Sequence, residues 1–566
     1  MIEVLVVGVV ALLVIAAAAV LGPRLGIAAP LVLVVVGIVA SLVPWIPHVE
    51  VDPEWILVGV LPPLLYSSAV SMPAMDFRRE FAAISGLSVV LVVATSVVLG
   101  LFFAWVVPGL GLAWGIALGA IVSPTDAVAT SIVKQTSVSR RVIAILDGES
   151  LLNDATALVL LRTATAAAAA AAAFSFWGAV GDFAFAVVLA VLIGAAVGLL
   201  NLAVRARITS APVNTAISFA VPFVASIPAE HFGASGLVAA VVAGLVTGIR
   251  APRVLPPDHR LSDAQNWSTI EFVLEGAVFL VMGLQLASIV GAVEREHTGV
   301  WSALLIALGA LVVTLAVRAA YVVPLLRSLR ASARRSAGMQ DRVETMRSRL
   351  DDPETARAAI QEHRRGRRIP TARDIERLGS RVRQALGDIA YFRKAPLGWR
   401  DGTAVVWAGM RGAVTVAAAQ TLPEGTPQRA LLVFVAFAVA VLSLVLQGAT
   451  IGPLLRRISP RRTDTAEEDS GERQRLLELL RAASEAVPTA GESAVTREEL
   501  AAADPSAVRA WLGREKARRL AVLRAQRTAL LDARDDGTFD AEVLASVLRN
   551  LDAEQIALEL RGGPGT

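Results

Sequence analysis

The chain has 566 residues, of which 55% are hydrophobic and only 18% charged, and its mean hydropathy is +0.61. That balance excludes an ordinary soluble protein, which needs more polar residues to cover its surface. The absence of cysteine excludes disulfides and thiol chemistry, and a net charge of +4 without aromatic-interleaved basic runs argues against a nucleic-acid partner.

Apolar segments long enough for a bilayer core of about 30 Å lie near 3–21, 27–45, 55–71, 83–107, 112–133, 142–172, 178–203, 212–229, 233–249, 268–290, 299–325, 402–421 and 428–455. They predict about 13 spans in an all-α polytopic membrane protein. The opening Met-Ile-Glu-Val has no cationic leader, so the first run reads as a span and not as a signal peptide. The third is short and carries Pro62 and Pro63, and the sixth ends in the alanine run Ala166–Ala173. Alternate loops hold Arg24; Arg78 and Arg79; Lys134, Arg140 and Arg141; Arg205 and Arg207; and Arg250, Arg253 and Arg260. The opposite loops hold acidic residues, including the stretch from His48 to Asp52, Glu230, Glu294, Glu296 and Glu424. Loop lysines and arginines mark the cytoplasmic side, which places the N-terminus outside and the C-terminal tail inside. The expected organisation is a membrane domain at 1–325 and 401–456, a basic cytoplasmic insertion at 326–400, and a helical cytoplasmic tail at 457–566. Helical spacing recurs in the insertion from Pro353 to Glu362 and from Ala372 to Leu386. The insertion reads either as a lipid-contacting basic face or as a solvated hairpin. Tail helices are expected over Glu472–Val487, Pro505–Asp535 and Ala541–Leu560, with Leu512, Leu520, Leu523 and Leu530 forming an apolar stripe.

A charge at mid-bilayer costs about 2.5–3.5 kcal/mol even on lenient insertion scales, so the polar residues within spans need a reason. Span five contains Ser123-Pro-Thr-Asp-Ala-Val-Ala129, and span six begins Gly148-Glu-Ser-Leu-Leu-Asn-Asp154. Span ten holds Glu271 and Glu275, span eleven Arg318, and span twelve Gly409-Met-Arg-Gly412. Pro124 removes a backbone donor, and the carbonyls it frees must face protein or a wet cavity. Thr125 and Asp126 follow it and offer hard oxygens for a small cation; the alternative is a simple kink with Asp126 bonded locally. Ser150, Asn153 and Asp154 are spaced to share one helix face, which suits a partly dehydrated monovalent cation with Asp154 as the charged ligand. A helix cap would account for Glu149 or Ser150 but not for Asp154. Arg411 keeps its charge and needs a partner, for which Glu149 is the candidate. Arg318 with Glu275 is a second candidate pair, and Glu275 alone would be an extra proton carrier.

Taken in order, Ser-Pro-Thr-Asp-Ala-Val-Ala, Gly-Glu-Ser-Leu-Leu-Asn-Asp-Ala and Gly-Met-Arg-Gly-Ala-Val resemble the monovalent cation:proton antiporter-1 family over about residues 5 to 456. This family comprises bacterial and archaeal sodium/proton antiporters related to the animal sodium/hydrogen exchangers. Leu61-Pro-Pro-Leu-Leu-Tyr66, Phe279-Leu-Val-Met-Gly-Leu-Gln-Leu286 and Pro396-Leu-Gly-Trp-Arg400 add to the likeness. The resemblance implies inverted repeats with crossing broken helices, a homodimer in the inner membrane, and alternating access. It implies that Asp154 binds cation or proton, with Asn153, Thr125, Asp126 and Ser150 around it, and that Glu149 and Arg411 form a buried pair. The Asn-Asp pair implies electroneutral exchange of one cation per proton. No cofactor and no enzymatic activity are expected. Some archaeal members carry an acid in span three; here Tyr66-Ser-Ser-Ala69 offers only the hydroxyls of Ser67 or Ser68.

Potassium/proton exchange is the alternative within this class. An intramembrane aspartyl protease using Asp126 and Asp154 is disfavoured by the absence of Tyr-Asp and Gly-x-Gly-Asp motifs around them. A channel would want a filter-like repeat, which the sequence lacks.

Overall fold

A computed structural model describes residues 2–25, 27–44, 52–126, 128–134, 136, 138–169, 176–296, 299–350, 372–458, 464–488 and 504–560. The expectations for His48 to Val51, for Ala170 to Ala173 and for the helical stretch from Pro353 to Glu362 fall outside these residues. Among the described residues every regular element is helical.

The chain forms two compact units. The first takes Met1–Ala251, Ser262–Arg330 and Leu397–Arg461; the second takes Pro252–Leu261, Ala331–Pro396 and Arg462–Thr566. The insertion and the tail, read separately from sequence, thus belong to one unit.

In the first unit the helices run α1 (Ile2–Leu25), α2 (Ala29–Ser41), α3 (Trp55–Ser71), α4 (Ala74–Val106), α5 (Leu112–Val122), α6 (Val128–Lys134), α7 (Arg140–Ala169), α8 (Phe176–Arg205), α9 (Ala211–His231), α10 (Gly236–Val254), α11 (Pro257–Leu284), α12 (Leu286–Arg295) and α13 (Val300–Gly338). After the insertion come α16 (Trp399–Trp407), α17 (Ala413–Gln420) and α18 (Arg429–Ile458). Among the described residues, eight helices are long and apolar enough to cross a membrane by length and composition, and three more apolar helices are shorter. Outward-facing Leu5, Val9, Leu192, Leu305 and Val312 are each about half exposed or more, the inverse of a soluble surface and the expected face toward lipid.

Two spans are interrupted, in keeping with the crossing broken helices that the resemblance implies. Residues 112–133 divide into α5 and α6, and residues 402–421 divide into α16 and α17. In α3 the prolines are absorbed differently. Pro62 and Pro63 lack the donors of a regular turn, and the preceding residues Trp55–Val60 widen to a π-helical pattern in which Leu61 N–H reaches Ile56 O.

Close packing against α5 rests on small residues. A side chain at Gly115 would come within 2.5 Å of Gly100 O, and one at Gly119 within 2.4 Å of Ser96 O. The Gly-x-x-x-Gly spacing therefore lets α4 and α5 touch backbone to backbone, the device that substitutes for a hydrophobic drive between helices in lipid.

The second unit includes α14 (Gln340–Leu350), α15 (Ala372–Lys394), α19 (Asp464–Glu485), α20 (Pro505–Asp536) and α21 (Ala541–Leu560). Its core is Leu476, Leu480, Leu523, Leu530, Val543, Leu544 and Leu551. Of the stripe read from sequence, Leu523 and Leu530 enter this core, whereas Leu512 is 53% exposed because it precedes the stretch of α20 that meets α19 and α21. Gly537 ends α20 in the left-handed conformation that glycine adopts freely. Its carbonyl lies 2.4 Å from the position a side chain at Gly387 of α15 would take, so the insertion helix touches the tail through a second glycine. Arg253 bonds Asp532 and Asp535, while Asp552 accepts from both Arg260 and Arg527.

Replacing Gly119 by Val forces the α4 and α5 backbones apart. Thermal melting of the detergent-purified protein should fall by the equivalent of about 1–3 kcal/mol, the usual cost of overpacking. Gly181→Val, where no atom lies within 4 Å, should leave it unchanged.

Candidate functional site

The two interruptions face each other. Asp126 N–H donates to Met410 O at 2.7 Å, so the backbone between α5 and α6 bonds the backbone between α16 and α17. A side chain at Gly412 would lie 1.3 Å from Asp126 Oδ2, and one at Gly409 would lie 2.8 Å from Arg318 Cδ and Nε. The Gly-Met-Arg-Gly stretch is thus shaped by its neighbours: one glycine admits an aspartate, the other an arginine.

Breaking a helix leaves carbonyls at one end and N–H groups at the other without helical partners. At the end of α5, Arg411 supplies the donors. Its Nε bonds Val122 O at 2.9 Å and its Nη2 bonds Ser123 O at 3.2 Å, while Nη1 bonds Gly409 O. At the end of α16, Arg318 Nε bonds Val405 O at 2.8 Å. Both arginines therefore sit where half-helix dipoles place partial negative charge. At the start of α6 the polarity is reversed, and Asp126 Oδ1 accepts from Val128 N–H at 3.0 Å.

The expected pairing of Glu149 with Arg411 is replaced by another. Glu149, 1% exposed, is held by Arg318 through two parallel bonds, Nη1 to Oε1 at 2.5 Å and Nη2 to Oε2 at 2.8 Å. The expected Arg318–Glu275 pair is accordingly absent among these contacts. The physical reason is acceptor supply: Arg411 finds two carbonyls at the broken end of α5 and a third, Gly409 O, in the α16–α17 break, leaving the planar fork of Arg318 to match the carboxylate. Thr125 Oγ1 also donates to Glu149 Oε1, at 3.0 Å.

Asn153 does not line the cavity described below. Its Nδ2 donates to Thr125 O at 2.9 Å and to Thr125 Oγ1 at 2.7 Å, so it secures the carbonyl freed by the break. The shared face inferred for Ser150, Asn153 and Asp154 thus divides by function, with the amide turned to the neighbouring backbone. Ser150 bonds Asp147 O within its own helix and borders the cavity beside Asp154.

That cavity has a volume of about 100 Å³. It brings together Thr125 and Asp126 from the first break, Ser150 and Asp154 from α7, Ser68 from α3, Ala413 and Val414 from α17, and Glu271 and Glu275 from α11. Apolar residues such as Leu61, Leu65 and Phe279 complete the wall, and among the described lining residues there is no lysine, arginine or histidine. Asp154 is half-buried and borders the cavity together with Asp126. Four carboxylates beside hydroxyls, with no basic group among the described lining residues, offer the oxygen chemistry that suits a small cation or protons.

Glu271 also borders the cavity, a position to which the sequence alone attaches no role. Its signal was the four-residue spacing to Glu275, which puts both on one face of α11. The seryl pair of α3 divides: Ser68 borders the cavity, and Ser67 Oγ donates to Glu271 Oε2 at 2.9 Å.

Comparison with known proteins agrees with this architecture. The profile of the transmembrane sodium/hydrogen exchanger family matches residues 8–346 and 382–457, and the chain belongs to that family. An uncharacterized Na(+)/H(+) exchanger of Escherichia coli, YjcE, is 39% identical over 249 residues, covering 43% of this chain and 45% of that protein. The chain is thus aligned with less than half the length of that relative. A sodium, potassium, lithium and rubidium/H(+) antiporter of Bacillus subtilis is 29% identical over 275 residues, 47% of this chain and 41% of its own length. The structure of the sodium proton antiporter MjNhaP1 from Methanocaldococcus jannaschii at pH 8 matches with a TM-score of 0.56 over 81% of this chain and 99% of that one, at 13% identity, a likeness of fold. The protein is therefore a multi-pass membrane protein of a transporter family.

The pairing is open to a double-mutant cycle. Glu149→Gln alone strands the Arg318 charge and should cost about 3–5 kcal/mol of stability. Adding Arg318→Met should recover much of that loss, whereas adding Arg411→Met should deepen it, read as melting temperatures of the purified variants. Gly412→Ala should abolish transport, because its methyl group claims the space of the Asp126 carboxylate.

Proposed function

We propose that this chain is a secondary active sodium/proton antiporter. Family membership supports the reaction class, and the cavity between the two broken helices is the observation that carries the site. Asp154 is the charged ligand for which cation and proton compete, with Asp126, Thr125 and Ser150 beside it. Asn153 acts one step back, through Thr125, and Glu149, Arg318 and Arg411 hold the crossing in place.

Exchange follows from competition. A carboxylate in a membrane cavity accepts either a proton or a sodium ion on the same oxygens, and its empty, charged form is costly to carry across the bilayer. Only loaded forms then cycle, which obliges each inward ion to be matched by an outward one. The reading includes electroneutral one-for-one exchange, about thirteen spans with inverted repeats, a homodimer in the bacterial plasma membrane, and an outside N-terminus with a cytoplasmic tail. It needs no cofactor and no covalent chemistry, so the protein acts as a transporter and not as an enzyme. The membrane domain is 1–325 with 401–456, and the basic insertion and tail lie on the cytoplasmic face.

Proteoliposomes loaded with a pH indicator test this directly. Sodium added outside should drive proton efflux in the wild type, and Asp154→Ala should lose it by at least about 100-fold, as expected when a charged ligand is removed from its site. Potassium and lithium added separately name the substrate ion. Unchanged exchange in Asp154→Ala would remove Asp154 from the site.

A further inference from the structure

The face of α11 that reaches the cavity carries a polar residue at every fourth position: Asp263, Trp267, Glu271 and Glu275. Four-residue steps keep side chains on one side of a helix, drifting by about 40° per step. The first three have built partners. Asp263 pairs with Arg205 and accepts from Ser218 Oγ at 3.2 Å. Trp267 Nε1 donates to the same Ser218 Oγ at 3.1 Å, and Glu271 accepts from Ser67 Oγ. Glu275 breaks the series. No hydrogen bond or ion pair joins its carboxylate to another described residue, and it borders the cavity that holds Asp154.

The buried arginines of the two breaks have other partners. Arg318 is committed to Glu149 and Val405 O, and Arg411 to Val122 O, Ser123 O and Gly409 O. Glu275 shares the cavity wall with two further carboxylates, Asp126 and Glu271. A carboxylate among like charges, on an apolar wall with Val278 and Phe279, needs a positive charge that the lining does not provide. The transported cation is the group that can supply it.

We propose that Glu275 is a cation-affinity ligand of the transport site, with Glu271, fixed by Ser67, holding its side of the cavity negative. The cation is drawn toward α11 as well as toward Asp154, and the two faces of the cavity share its charge. Glu275 thus sets how tightly the site takes sodium, while Asp154 is the group whose loading is obligatory for exchange. This assignment rests on the antiport reading above.

Sodium-driven proton efflux in proteoliposomes, titrated over sodium concentration, tests it. Glu275→Gln should raise the KM for sodium about tenfold, the effect of removing one nearby charge in a partly buried site, and keep the maximal rate within about threefold. Glu275→Asp should return KM to within about threefold of wild type, and Glu271→Gln should show a smaller rise than Glu275→Gln. A merely structural glutamate would lower the maximal rate with KM unchanged, and that result overturns the proposal, as does a variant identical to wild type in both constants. If Glu275→Gln is not recovered folded, Glu275→Ser with its smaller side chain takes its place and is read by the same split. The Asp154→Ala result stays separate: exchange surviving there defeats the antiport site itself, whereas an unmoved KM at Glu275 defeats only this ligand.

Discussion

The structure depends on neutralising the ends of broken helices away from water. α5 and α16 both stop inside the membrane unit, and each presents carbonyls that bulk solvent does not reach. Arg411 and Arg318, each 2% exposed, are spent on those ends. Once Arg318 is placed at Val405 O, its remaining fork fixes Glu149, and Glu149 in turn fixes Thr125. Asn153 secures the Thr125 carbonyl from the same turn of α7 that carries Asp154. A connected set of bonds thus runs from the α16 break to the α5 break and back to α7.

The separation of roles that results is chemical. Basic groups lie behind the breaks and bind carbonyls or Glu149; acidic groups lie in front and border the cavity. If an arginine reached the cavity it would act as a permanent resident cation and hold the site shut against sodium. The two glycines of the α16–α17 break enforce the division, since Gly409 gives Arg318 its room and Gly412 gives Asp126 its own. Asp126 stands at the start of α6, where the half-helix dipole favours a carboxylate, and its backbone still bridges the two breaks.

Much of this could be read from the residue order, because membrane burial makes polar residues conspicuous. Pro124 followed by Thr125 and Asp126 marks the first break, whereas the Gly-Met-Arg-Gly stretch reads only as the seat of the buried charge of Arg411. Helical spacing placed Ser150 beside Asp154 correctly, since both border the cavity. Spacing failed for Asn153 and for the arginines, and for one reason. A side chain's direction gives its face, but the partner is chosen by the acceptors that other helices bring there. The carbonyls of Val122, Ser123 and Gly409 become acceptors only through the geometry of the two breaks, so residue order points Arg411 to the carboxylate that Arg318 holds. Glu271 and Ser67 likewise meet across 204 positions of sequence, a contact that no local pattern encodes. In the second unit, the insertion meets the tail through the close approach of Gly387 to Gly537 and through pairs such as Arg383 with Asp536 and Lys394 with Glu472, which composition does not reveal.

The central claim is that one carboxylate cavity between the crossing helices is contested by sodium and protons. Equilibrium binding of radioactive sodium to the purified protein, measured across a pH series, tests it without transport. Competition predicts that the sodium Kd rises about tenfold for each unit by which pH falls through the acidic range, with the number of sites unchanged, and that Asp154→Asn removes the pH dependence together with tight binding. Sodium binding of unchanged affinity across that range, or retained intact in Asp154→Asn, would contradict the account.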